Sequence, residues 1–245
     1  MKKLILTTAA LALTAGLAMA ESHGKTVRLG TEGAYPPYNF LNDDGEVDGF
    51  ERALGDELCA RAELTCEWVT NEWDSIIPNL VSGNYDVIIA GMSITDERDQ
   101  VIDFSQNYIP PAASAYMAMA GADVDLKIGV FSAQTATIQA GYIAQQGATL
   151  VEFATPDETV AAVKNGEADA VFADKDYLAP IAAESGGELV LLEEEVQLGG
   201  GVGLGLRESD AELREKFDAA IGSMKEDGTL NTMIVKWFGE SVATF

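Results

Sequence analysis

The chain is poor in the residue types on which much enzyme chemistry depends. Its 245 residues include one histidine, His23, and two cysteines. Ser-His-Asp and Cys-His mechanisms and histidine-based metal centres therefore lack their parts. Basic residues are scarce too: 15 Lys and Arg stand against 40 Asp and Glu, for a formal charge of −25. A surface of that sign repels polyanions and offers no basic patch, which excludes nucleic acid as a partner. No apolar stretch reaches the ~20 residues that a membrane-spanning helix needs. Glycine and proline, at 24 and 7, are too few for a low-complexity chain. No metal or cofactor motif is present.

What remains is an ordinary globular balance, 47% hydrophobic and 22% charged. This length is near the upper limit for one core, so two lobes are as natural as one domain. Met1-Lys2-Lys3, the apolar run Leu4–Leu17 and the small-x-small site Ala18-Met19-Ala20 read as a signal peptide cleaved after Ala20. No cysteine follows that site, so no lipid anchor is expected, and the mature protein belongs in a bacterial periplasm. Loss of Lys2 and Lys3 leaves 13 basic against 40 acidic residues. A salt-adapted surface accounts for that excess better than steering of a ligand does.

In an oxidising compartment Cys59 and Cys66 read as a disulfide. Seven residues along one helix would hold their Cα atoms about 10 Å apart, too far to bridge. A helix must end between them, and a helix at 50–62 followed by a strand at 64–69 meets that need.

Short β runs alternate with helical segments along the chain, which predicts α/β layers with largely parallel sheets. The first half gives strands at 26–30 and 86–90, a helix at 74–82 with Pro78 in its first turn, and a short helix from Asp96. A second set follows, with strands at 127–130, 149–153, 170–173 and 189–192. Thr155, Pro156 and Glu158 form a capping box with proline at the first helical position. Ser209 and Glu212 repeat the box before a helix at 210–225, and a last helix ends near Trp237.

Four loops sit where α/β proteins bind ligands, after strand C-termini and at helix starts. They carry Glu32 with Tyr35; Gly91, Ser93 and Arg98; Ser132 to Thr135 opening a helix; and Asp174. Taken singly, each has a structural explanation: a surface ion pair for Arg98, a helix cap for Asp174, packing for Tyr35 and Trp73. Together they supply a cation, N–H donors, hydroxyls, an anion and aromatic faces, the set a zwitterionic amino acid needs.

The motifs are more specific than their parts. Gly30-Thr31-Glu32-Gly33-Ala34-Tyr35-Pro36-Pro37, Asp48-Gly49-Phe50-Glu51, Trp73-Asp74-Ser75-Ile76-Ile77-Pro78, Met92-Ser93-Ile94-Thr95-Asp96-Glu97-Arg98 and Ile102-Asp103-Phe104-Ser105 occur in that order. In this the chain resembles the family 3 periplasmic solute-binding proteins of amino-acid ABC transporters. The closest likeness is to the branch that binds histidine, lysine/arginine/ornithine, arginine and opines.

The resemblance implies a two-lobed α/β periplasmic-binding-protein fold (type II-like) with two hinge strands and a ligand cleft between the lobes. Lobe 1 would span 21–111 plus 205–245, lobe 2 would span 115–201, and the hinges would lie near 111–115 and 201–205. It further implies that Arg98 and Thr135 hold an α-carboxylate, while Asp174, Ser93 and the Gly91 carbonyl receive an α-ammonium. Tyr35 and Trp73 would wall the side chain and Glu32 would meet a cationic tip. The sequence departs from the family at Ala90 and Gly91, where many relatives have serines. It departs again in the Ser132–Thr135 loop and at Ala136, where several basic-amino-acid binders carry Gln. A monomeric carrier that delivers an arginine-like amino acid to an inner-membrane ABC permease is the expectation, with no catalytic residue. Binding of a polar neutral amino acid or an opine, a receptor-docking sensor, and a dehydratase on the same fold are the alternatives.

Overall fold

The computed structural model describes residues 26–240 and 242–245. The leader expected at 1–20 lies outside these residues. The first segment runs β1 (Val27–Thr31), β2 (Ala34–Tyr35), β3 (Asn39–Leu41), β4 (Val47–Asp48), α1 (Phe50–Arg61) and β5 (Cys66–Thr70). A 3-10 turn at Trp73–Ser75 leads into α2 (Ile76–Val81), then β6 (Val87–Ile88), α3 (Asp96–Asp99) and β7 (Asp103–Phe104). The middle of the chain forms β8 (Ala113–Met119), β9 (Val130–Gln134), α4 (Ile138–Gln146), β10 (Thr149–Phe153), α5 (Pro156–Lys164), β11 (Ala170–Asp174), α6 (Lys175–Glu184) and β12 (Leu189–Gln197). It returns as β13 (Gly205–Leu206), α7 (Ala211–Glu226) and α8 (Thr229–Phe238).

These elements build two lobes, each around a five-stranded sheet. The first sheet has the order β5-β1-β6-β13-β7, the second β10-β9-β11-β8-β12. Both are mixed rather than largely parallel: β1 pairs in parallel with β5 and β6, whereas β13 runs antiparallel to β6 and β7. In the second sheet β9 is parallel to β10 and β11, and β8 is antiparallel to β11 and β12. The antiparallel strands lie beside the places where the chain changes lobe. It leaves the first sheet after Phe104, joins the second at Ala113 and returns between Gln197 and Gly205. Side by side, the two passages pair through Val202 and Ile109 on one side and Gln197 and Ala113 on the other.

Strand periodicity decides which residues fill each core. In β8, Tyr116 and Ala118 face the layer that holds Phe131 and Phe172, while Met117 faces the layer that holds Val160 and Leu178. In the first lobe Val87 and Ile89 pack under α1, α7 and α8, and Ile88 packs on the opposite face with Ile76 and Leu80. Asp86, 3% exposed, pins β6 to its neighbours: it accepts from Arg28 Nε at 3.0 Å and Arg207 Nη2 at 3.0 Å.

Three local expectations are corrected. The strand expected at 127–130 starts three residues later, at Val130, because Asp125 Oδ1 accepts the Lys127 N–H in a turn and leaves Ile128 77% exposed. The helix expected to open at Ser132–Thr135 consequently opens at Ile138, with Thr137 as its N-cap. Ser209 caps nothing: a 3-10 turn at Glu208–Asp210 precedes α7, held by the Arg207–Asp210 ion pair at 2.6 Å. The Thr155–Glu158 capping box forms as read.

Cys59 in α1 and Cys66 in β5 are bonded, with Cα atoms 6.3 Å apart. The helix ends at Arg61, between them, as the spacing demands. Closing a loop of this size removes about 2–3 kcal/mol of unfolded-chain entropy. The variant C59S/C66S is expected to lose that much stability in urea unfolding. An unchanged midpoint would show that the bond constrains nothing.

Candidate functional site

Both sheets put functional residues at the C-terminal ends of parallel strands. Glu32 follows β1, Gly91 and Ser93 follow β6, Gln134 ends β9 and Asp174 ends β11. From β1 the chain goes to β5 on one side and then to β6 on the other, and from β9 to β10 and then β11; these reversals of strand order are topological switch points, where open α/β sheets leave a crevice. The two crevices face each other and form one cavity. It encloses about 490 Å³ of space free of atoms, counting what is open at its mouth.

Seven of the eight expected site residues line it: Glu32, Tyr35, Trp73, Gly91, Ser93, Arg98 and Asp174. Thr135 does not. Its hydroxyl donates to Glu152 Oε1 at 3.1 Å, and Thr137 lines the cavity two residues later. The cause is the late start of β9, which moves the turn before α4 along the chain. Ala136 takes a left-handed conformation in that turn, with φ 57°. Thr137 then caps α4, accepting the Ala140 N–H at 3.2 Å.

Arg98 is set by the short helix α3, whose cap Thr95 accepts the Arg98 N–H at 3.2 Å. Its guanidinium lies over the Trp73 ring, 5.4 Å from the centroid. It donates to the Ser93 carbonyl at 2.9 Å and across the cleft to the Ala136 carbonyl at 3.3 Å. Burial pulls its pKa down to about 10, opposed by Asp174 and Glu97, and it stays charged at neutral pH.

Asp174 stands at the N-cap of α6, yet its side chain makes no capping bond. It turns instead into the cleft, accepting from the Tyr35 hydroxyl at 2.9 Å and Gln139 Nε2 at 2.9 Å. Burial pushes its carboxyl up to about 6, against the pull of Tyr35 and Arg98. Glu32 accepts from Gln134 Nε2 at 2.6 Å, and burial raises it to about 7. Gln134 is anchored in the second lobe by a further bond to the Ala154 carbonyl at 3.0 Å. Tyr35 also stacks on Tyr177 at 4.3 Å, so one tyrosine of the first lobe meets two elements of the second.

Gln134, Thr137, Gln139 and Tyr177 were not singled out from the sequence, though all line the cavity. A signal for Tyr177 existed: it lies one turn into the helix that Asp174 opens. The glutamines became legible only once the register of β9 was known.

The arrangement offers one fixed cation, two carboxylates at separate positions, a helix N-terminus, hydroxyls and aromatic walls. Such a set suits a small dipolar molecule, and no group of His, Cys, Asp and Glu side chains among the described residues could hold a metal ion. Residues 27–240 match the bacterial extracellular solute-binding proteins, family 3. The lysine/arginine/ornithine-binding periplasmic protein of Escherichia coli K12 is 33% identical, with 99% of each chain covered. A periplasmic His/Glu/Gln/Arg/opine family-binding protein from Silicibacter pomeroyi, solved in complex with lysine, is 77% identical. It has a TM-score of 0.88 and covers 90% of this chain and 100% of its own. An ancestral amino-acid-binding protein, a precursor of cyclohexadienyl dehydratase, is 28% identical with a TM-score of 0.78, covering 87% and 95% of the two chains. With its cleft between two mixed α/β lobes and a match over nearly all its described residues, the chain belongs to family 3 of the bacterial extracellular solute-binding proteins.

Proposed function

We propose that this protein captures a basic L-amino acid, arginine or lysine, in the periplasm and delivers it to an inner-membrane ABC permease without chemical turnover. The observation that carries this reading is the convergence of Arg98 and Asp174, from different lobes, on one cavity that also holds Glu32. In the bound state Arg98 pairs with the ligand carboxylate, aided by Thr137 and the N–H groups that open α4. Asp174, the Ser93 hydroxyl and the Gly91 carbonyl receive the ammonium. The side chain runs between aromatic walls, and Glu32 meets its cationic tip. The lobes are 21–111 plus 205–245 and 115–201, turning about 111–115 and 201–205, and the carrier is a monomer exported by its cleaved leader. The lysine complex of the 77% identical relative and the lysine/arginine/ornithine binder support the choice of a basic side chain.

Glu32 gives a second reading some weight. A buried acid at about 7 is what a general acid needs, and a dehydratase precursor shares this fold. Release of product from prephenate or arogenate would establish that reading; inert substrates leave Glu32 as a ligand contact.

Titration calorimetry against the twenty amino acids is the primary test, with arginine or lysine expected to bind tightest. A preference for glutamate or aspartate would contradict the role of Glu32. Removing one member of a desolvated, hydrogen-bonded charge pair costs about 2–5 kcal/mol, so Arg98→Ala should weaken binding by at least roughly thirtyfold. Glu32→Gln should weaken arginine and leave glutamine unaffected. Near-normal arginine affinity in Arg98→Ala would remove the carboxylate assignment.

The raised carboxyls set the pH dependence. Without ligand, Glu32 and Asp174 contribute to the stability of the folded structure below their unfolded values, and that contribution is lost as pH rises through about 6 and 7. A cationic ligand needs both ionised, so its affinity has the opposite slope, rising through the same window. The thermal shift given by arginine should therefore grow from pH 5 to pH 8, with affinity at pH 5 lower by at least roughly tenfold. A shift that is flat or larger at pH 5 would contradict the assignment.

A further inference from the structure

Behind the cavity floor lies a charged residue with no place in the ligand contacts above. Glu51 sits in the first turn of α1 and is 0% exposed. Its carboxylate receives three donors. Oε1 accepts from the Gly91 N–H at 2.6 Å and from the Tyr108 hydroxyl, and Oε2 accepts from Asn39 Nδ2 at 2.6 Å. Asn39, also 0% exposed, passes the connection on: its Oδ1 accepts the Gly33 N–H at 2.7 Å. Gly91 and Gly33 both have left-handed backbones, φ 61° and φ 74°, and each belongs to a loop that lines the cavity. Gly91 offers its own carbonyl there; Gly33 directly follows Glu32. One buried carboxylate thus ties together the two loops of the first lobe that face opposite ends of the ligand.

We propose that Glu51 is a positioning residue for ligand recognition: through Gly91 directly and through Asn39 to Gly33, it fixes the spacing between the ammonium acceptors and the acid that meets the side-chain tip. This rests on the amino-acid-binding reading of the same cleft. A buried carboxylate is costly, and desolvation pushes Glu51 above the usual carboxylate range against the pull of its three donors. An apolar residue would serve mere packing at less cost, whereas only an acceptor at both oxygens satisfies Gly91 and Asn39 together.

The donor pattern makes the proposal testable by exchange. In Glu51→Gln the new amide N–H₂ faces either Asn39 Nδ2 or the Gly91 N–H, donor against donor. Flipping Asn39 relieves the first clash but strands the Gly33 N–H. The double variant N39D/E51Q restores every bond. Its new carboxylate at position 39 accepts from Gly33 and from the new amide at position 51, and that amide's oxygen accepts from Gly91 and Tyr108.

Two readouts apply to the full mature chain. The first needs no ligand: amide hydrogen exchange at Gly91 and Gly33 should be slow in the parent, faster in E51Q at one or both, and slow again in N39D/E51Q. The second compares L-arginine with 5-guanidinopentanoate, which lacks the α-ammonium, by calorimetry below the melting temperature of each variant. E51Q should weaken arginine by roughly ten- to a hundredfold, the range of a stranded buried donor. It should weaken the ammonium-free analogue less, and N39D/E51Q should recover the arginine preference. Parent-like exchange in folded E51Q would overturn the proposal. Equal losses for both ligands that the double variant does not recover would also overturn it, reducing Glu51 to a fold residue. A parent that binds neither compound but shows the exchange pattern would sink the basic-amino-acid reading and the recognition role with it, leaving only the tie between the two loops.

Discussion

The cleft buries charged groups from both lobes at once. Arg98 enters from one lobe and Asp174 from the other, with Glu32 at a further point on the wall. The cost is visible in their ionisation, with both carboxyls raised and the guanidinium lowered by desolvation. Neutral partners such as Tyr35, Gln139 and Gln134 satisfy individual oxygens but carry no balancing charge. In the proposed function a dipolar cation would supply the balance: its carboxylate for Arg98, its ammonium for Asp174, its side-chain charge for Glu32. Held by both lobes in this way, such a ligand would bind a closed form more tightly than an open one, and that difference would drive closure.

The rest of the fold keeps those few groups in place. Strand C-termini at two switch points aim the loops at one crevice, and the two passages between lobes run side by side through Val202 and Ile109. In the first lobe the loops are held from behind. Asp86 ties β6 to β1 and to Arg207, the disulfide ties α1 to β5, and Glu51 links the Gly91 loop to the Gly33 loop. The second lobe contributes Asp174 at a helix start whose capping role is left unused, so its carboxylate is free for the cleft.

Much of this was legible in the sequence because local chemistry decides it. The Thr155–Glu158 box, Pro78 in the first turn of α2 and the helix end between Cys59 and Cys66 each follow from one or two residues. The strand before α4 was misread because hydrophobicity at 127–130 outweighed the Asp125 turn, which only the folded backbone reveals. Thr135 entered the expected site through the family resemblance as the start of a helix; Thr137 caps that helix and lines the cavity. Sheet direction has a related cause: β12 reads as an ordinary strand, but β8 reads only as an extended segment and β13 as the end of an irregular connection, so the antiparallel pairs beside the lobe crossings go unseen. Gln134 stands in a loop that the sequence offers for ligand binding and Gln139 beyond it; the register of β9 and the start of α4 bring both to the cavity. Glu51 stood in a recognised motif, but its role depends on contacts 12, 40 and 57 residues away.

The central claim is that separate lobes grip the two ends of one molecule. It is tested most directly by pairing variants with trimmed ligands. Affinities of L-arginine, agmatine (no carboxylate) and 5-guanidinopentanoate (no α-ammonium) would be measured on the parent, Arg98→Ala and Asp174→Ala. The account predicts that Arg98→Ala abolishes the preference for arginine over agmatine alone, and that Asp174→Ala abolishes the preference over 5-guanidinopentanoate alone. Parent-like discrimination in both variants would contradict it.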